Sequence, residues 1–159
     1  MIRHAKSSWD NATLSDFERP LNDRGKRDAP IMAKRLREKG IEIDGFVSST
    51  AKRAKKTAQF FTKEFNVNED TILYKSELYA AGKEIFYEVI ASLSNDLDNI
   101  AIFSHNPGIT EFANELTNTR VDDMPTCAIF AVKSDAKEWK EFADSTKEFW
   151  FFDYPKHIE

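Results

Sequence analysis

The sequence predicts an α/β fold: a three-layer α/β/α sandwich on a mostly parallel central sheet. Three observations predict it. Short apolar runs at 45–49, 71–74 and 100–104 have the length of buried strands rather than helices. Each is followed by apolar residues at helical spacing, an alternation that typifies β-α-β units. Gly and Pro are few and scattered, with no repeat, low-complexity tract or linker, so residues 1–159 read as one domain with room for a full core.

The first helix is expected from about Arg24 to Lys39, capped by Asn22 or Asp23, with Ala29, Met32, Ala33 and Leu36 on one face. Pro30 should kink its second turn or mark a restart, and Gly40 should end it. The strand at 45–49 runs into a helical stripe of Ala51, Ala54, Ala58, Phe61 and Phe65. The strand expected at 71–74 is followed by a helix marked by Ile85, Phe86, Val89, Ile90 and Leu93. The strand at 100–104 passes into the amphipathic set Ile109, Phe112, Ala113 and Leu116. Residues 128–132 and 149–152 read as a late strand pair at a sheet edge. The run Phe149, Trp150, Phe151, Phe152 is expected to be core strand rather than a cofactor platform.

Composition narrows the function. Hydrophobic residues at 41% and charged residues at 31% are ordinary for a soluble globular protein. The lone Cys127 cannot form an internal disulfide and is too little for a thiolate metal site. No apolar run approaches the roughly 20 residues that span a bilayer, and no basic-then-apolar leader is visible. A cytoplasmic protein without a membrane partner is expected. A net charge of −4 disfavours nucleic acid as a partner.

In parallel sheets, ligands bind beyond the carboxyl ends of the strands. Three such ends carry chemistry: Arg3-His4, then the turn from Ser48 to Arg53, then the turn Ser104-His105-Asn106-Pro107-Gly108. If they converge, two histidines and two arginines share a pocket with two helix N-termini, which favour anions. Arginine forks match phosphate oxygens. A neutral imidazole there can attack phosphorus and split phosphoryl transfer into two displacements. The arginines and the second histidine would then stabilise the equatorial charge. Such chemistry requires neither metal nor cofactor, and a zinc site from His4 and His105 lacks a third ligand nearby.

The segments MIRHAKSSWD, ERPLNDRGKRDA, VSSTAKRAKKTA, SELYAAG and FSHNPGI, in this order, resemble the histidine phosphatase superfamily, and most closely its short SixA-type phosphohistidine phosphatase branch. The resemblance spans roughly Ile2 to Ile109. It implies a phosphoglycerate mutase-like fold, with His4 as nucleophile and Arg3, Arg53 and His105 completing the phosphate pocket. Arg19, in Glu-Arg-Pro-Leu, would be a further phosphate or rim contact. Glu77, in Ser-Glu-Leu-Tyr, is the general acid that chain order implies. The family's Arg-His-Gly reads Arg-His-Ala here. Ala5 would still offer a backbone N–H to phosphate, without the freedom of glycine.

The implied activity is a metal-independent phosphohydrolase working through a phosphohistidine intermediate on His4. Its substrate would be a phosphohistidine protein or a small phosphorylated compound. The alternatives are a phosphomutase and a non-catalytic phosphate-binding module. A mutase needs a covered pocket that excludes water, and the interval from Ala58 to Ile100 is short for a lid domain. A module that had lost its chemistry would not be expected to keep all four pocket residues. Substrate identity and oligomeric state stay open at this level.

The strand before Arg3-His4 poses a separate problem. Relatives place several apolar residues there, and here only Met1 and Ile2 precede the pair. A central strand is buried on both faces and supports the residues at its end. The expectation is a trimmed first strand with numbering from an internal Met, or a short strand whose neighbours hold Arg3 in place.

Overall fold

The computed structural model describes residues 1–157. Its strands are β1 (Ile2–Arg3), β2 (Gly45–Ser48), β3 (Leu73–Tyr74), β4 (Ile100–Ser104), β5 (Ile129–Ser134) and β6 (Lys147–Asp153). Its α-helices are α1 (Asp23–Glu38), α2 (Lys52–Glu64), α3 (Lys83–Ala91) and α4 (Gly108–Leu116). The strands form one sheet in the order β3-β2-β4-β1-β5-β6. β1, β2, β3 and β4 pair in parallel, whereas β5 and β6 join antiparallel. One apolar layer packs α1 and α2 residues, such as Met32, Leu36 and Phe61, against Ile2, Phe46 and Phe103. The other packs Phe86, Ile90 and Phe112 of α3 and α4 against Val47, Ile102 and Phe130. This is the three-layer sandwich that the strand-helix alternation predicts.

Local chemistry explains the boundaries. The Asn22 side chain accepts from the Gly25 N–H at 2.8 Å and caps α1. α1 then runs unbroken past Pro30, so the proline does not mark a restart. Gly40 follows the C-cap with φ +76°, the left-handed turn expected after a helix end.

Two strand expectations need correction. Of residues 71–74 only Leu73 and Tyr74 are strand, because the Asn68 side chain accepts from the Asp70 N–H and winds Glu69–Thr71 into a 3₁₀ turn. The aromatic run of β6, an edge strand, is only partly core: Trp150 is 42% exposed, while Phe149, Phe151 and Phe152 are half-buried and pack against the core. An edge strand keeps one face wet, so its aromatic run is divided between two environments.

β1 has only two residues, and its neighbours hold it. Ile2 pairs with Phe103 and with Ile129, and Arg3 with Ser104. The Arg3 N–H donates to Ala128 O at 3.1 Å, and the His4 N–H donates to Ser104 O at 3.1 Å. The Cys127 N–H closes on the carbonyls of both Arg3 and His4, at 3.1 and 3.0 Å. Cys127 holds φ +62° to do so, a left-handed conformation rare outside glycine. The pair therefore rests on β4 and on the turn before β5. Beside Met1, at the opposite end of the sheet, lies a cavity of about 440 Å³ lined by residues including Ile100, Ala101, Phe130 and Val132.

Gly108, the first residue of α4, is a tight point of contact between the helix and the loop after β3. A Cβ there would strike the Ala81 carbonyl. Gly108→Ala should force that loop off α4 and cost about 1–3 kcal/mol, as overpacking does. Thermal unfolding of the variant measures this. An unchanged melting temperature would contradict the close fit.

Candidate active site

β1, β2 and β4 all end at the same edge of the sheet, and each hands a polar residue to the turn beyond it. His4 follows β1, Ser49 follows β2 and His105 follows β4. Arg53 lies in the first turn of α2. Neither α2 nor α4 has a side-chain cap at its N-terminus, so both leave N–H groups open at this edge.

The sequence-predicted residues meet here. The rings of His4 and His105 lie 5.0 Å apart. The Arg53 Nε–H faces His4 Nε2 at 3.3 Å. The His4 Nδ1–H donates to the Ala5 carbonyl at 2.7 Å, a partner that fixes the tautomer with the lone pair on Nε2. His105 Nε2 shares a hydrogen bond with Ser49 Oγ at 2.7 Å. Arg3 donates through its terminal nitrogen to Met124 O at 2.8 Å. Two buried nitrogens in this group, Arg3 Nε and His105 Nδ1, have no partner among the described residues. Orphaned buried polar atoms are costly unless a ligand satisfies them.

Both imidazoles are held neutral. Burial pushes His4 well below the usual histidine value, with His105, Arg53 and Arg3 adding to the effect and the Ala5 carbonyl opposing it. Burial, helped by Arg53 and Arg3 and opposed by Asp16, lowers His105 to about 4.

Three expectations are placed differently. The Ala5 N–H is not free for a ligand, because it donates to Thr57 Oγ1 at 3.0 Å. Thr57 itself donates back to the Arg53 carbonyl at 2.8 Å, so this buried threonine ties the nucleophile turn to α2. Arg19 is buried, and all three of its nitrogens serve its own loop: Nε on Ser8 O, the others on Asp16 and Ser7 Oγ. Its guanidinium also stacks on Trp9, 3.3 Å from the ring centroid. Arg19 thus braces the 7–19 loop. Glu77 sits exposed on a 3₁₀ turn, with no hydrogen bond or ion pair to His4, Arg53 or His105 among the described residues.

Two residues outside the sequence reading join the cluster. The Asp16 backbone carbonyl accepts from Arg53 at 2.6 Å, and its carboxylate accepts from Arg53 at 3.0 Å and from Arg19 at 2.9 Å. The Tyr79 hydroxyl donates to Asp16 Oδ2 at 2.6 Å, and the Tyr79 ring meets His105 edge-on. The Tyr79 and Arg53 hydrogen bonds lead in lowering Asp16 to about 2. Asp16 had a local signal, an acid three residues before Arg19. Tyr79 lies inside SELYAAG but gives no sign of its partner.

A sequence model of the histidine phosphatase superfamily (branch 1) matches residues 1–76. That match covers the N-terminal part of the chain, which is similar to the histidine phosphatase superfamily there. An uncharacterised protein of Mycobacterium leprae is 29% identical over 98% of this chain and all of its own length. A 2,3-bisphosphoglycerate-dependent phosphoglycerate mutase of Bartonella tribocorum is 32% identical, covering 60% of this chain and 46% of the mutase. The solved structure of the protein histidine phosphatase SixA complexed with tungstate superposes with a TM-score of 0.81 at 23% identity, covering 97% of this chain and 94% of that one. At that identity the likeness establishes a shared fold. The match over residues 1–76 supports an enzyme of phosphatase or mutase type. Among the described residues, no helix is long and apolar enough to cross a membrane.

Proposed function

We propose that the protein is a metal-independent phosphohydrolase of SixA type, acting on phosphohistidine in a protein or on a small phosphoester through a phosphohistidine intermediate on His4. The observation that carries this reading is the state of His4: a neutral ring with its proton committed to Ala5 O and its Nε2 lone pair beside Arg53.

In the first step His4 Nε2 bonds to phosphorus as the bond to the leaving group breaks, and the electron pair leaves with that group. Arg3, Arg53 and His105 surround the phosphoryl oxygens and stabilise their charge. The unpaired Arg3 Nε and His105 Nδ1 gain partners when an anion binds. In the second step water attacks phosphorus, the N–P bond breaks and His4 is restored. Water access is supported by residues 65–99, which hold only β3, short 3₁₀ turns and α3.

The test is turnover on a chromogenic aryl phosphate and on a phosphohistidine peptide, each with EDTA. Hydrolysis of both, with the larger kcat/KM on phosphohistidine and no phosphoryl exchange between phosphoglycerates, is expected. Inactivity on both substrates would sink the hydrolase reading, and loss of activity in EDTA would sink the metal-free mechanism.

A further inference from the structure

The site contains a carboxylate whose place among the cations needs explaining. Asp16 neutralises part of the charge that a phosphate would otherwise use, and it does so from the rim. Its side chain is 50% exposed, whereas those of Arg53 and Arg19 are 7% and 9% exposed. A carboxylate offers about four acceptor positions. Arg19, Arg53 and Tyr79 each donate to one. One position is left, on a group half open to solvent. Arg53 spans the interval, with Nε on His4 Nε2 and its terminal nitrogens on Asp16. His4 is buried and Asp16 exposed, so the path from one to the other leads outward, as a leaving group must go. On the side of Arg3, the exposed Asp123 accepts from the Asn106 side chain at 2.6 Å, next to the Met124 carbonyl that holds Arg3.

We propose that Asp16 is a specificity-determining residue that accepts the free ring N–H of a protonated phosphoimidazole and, with Asp123, repels leaving groups that carry negative charge. The inference rests on the phosphohydrolase reading and deepens it by naming the leaving-group class. The chemistry balances without a general acid. The substrate ring enters protonated on the nitrogen that does not bear phosphorus. As the His4 Nε2–P bond forms, the substrate P–N bond breaks and its electron pair returns to the ring, which departs as neutral imidazole. No proton has to be delivered to the leaving nitrogen, consistent with the absence of Glu77 from the cluster's hydrogen bonds among the described residues. The carboxylate holds the required proton on the substrate ring. The groups facing it are Arg19 from its own loop, Arg53 from α2, Tyr79 from the loop after β3 and His105 from the end of β4.

The experiment compares wild type, Asp16→Asn and Asp16→Glu on three substrates: a phosphohistidine peptide, an aryl phosphate whose aryl group carries no charge, and 3-phosphoglycerate. Asp16→Asn should lose roughly tenfold or more in kcat/KM on phosphohistidine, the scale of one hydrogen bond to a charged group. It should gain on 3-phosphoglycerate and lose clearly less on the aryl phosphate than on phosphohistidine. Its alkaline limb on phosphohistidine should move to lower pH, and Asp16→Glu should restore part of the preference. An equal loss on all three substrates would overturn the inference and leave Asp16 as a support for Arg53. If wild type fails on phosphohistidine while cleaving the esters, the phosphohistidine reading fails first and this inference with it.

Discussion

His4→Asn should lower kcat/KM at least roughly a thousandfold on every phosphorylated substrate, the scale on which a lost nucleophile acts. The size of the effect comes from the ring's preparation. Burial and the surrounding cations keep the imidazole neutral, and the Ala5 carbonyl takes the Nδ1 proton, so Nε2 is available as a nucleophile at pH 7. Asn cannot offer a ring lone pair in that position. The loss should appear equally on phosphohistidine and on an aryl phosphate, because both pass through the same intermediate. Steady-state kinetics on the two substrates checks this. A variant with full activity on either would show that the nucleophile is another group.

The second large effect belongs to Arg53. Arg53→Ala should cost roughly 10²–10³-fold in kcat, as the loss of a preorganised donor to developing charge does. Arg53 serves two partners: Nε meets His4 Nε2, and the terminal nitrogens hold Asp16 through its backbone and its carboxylate. Removing it therefore loosens the 7–19 loop as well as the phosphate pocket. Arg53→Lys keeps the charge but not the planar fork, so it should recover only a small part of the rate. Because Asp16 and Arg53 touch, the double variant Asp16→Ala/Arg53→Ala should be less impaired than the two single losses added together. Additive losses would mean that the contact does not matter to turnover.

His105 and Arg53 are legible in the sequence for a physical reason: each comes after a strand whose apolar run is easy to see, whereas His4, with only Met1 and Ile2 before it, is legible through the order of the motifs. The carboxyl-end rule then brings three distant turns together. Long apolar stripes, such as those of α2 and α4, are legible because helical spacing is strong over many residues. Other features depend on contacts that leave no local trace. Asp16 and Arg53 are 37 residues apart, and the Tyr79 hydroxyl reaches Asp16 across 63. The support of Arg3-His4 comes from the backbone of Cys127, whose left-handed turn carries no glycine to announce it. The aromatic run of β6 reads as core in sequence, yet the strand's place at the sheet edge leaves Trp150 in water.

The central claim is that phosphorus passes through His4. The most direct measurement is rapid acid-free quenching of wild type during turnover, then mapping of the phosphorylated peptide. The expected product is phosphate on His4, labile in acid and stable in base, and absent from His4→Asn. Active wild-type enzyme that never carries such phosphate, or a label that persists in His4→Asn, would contradict the account.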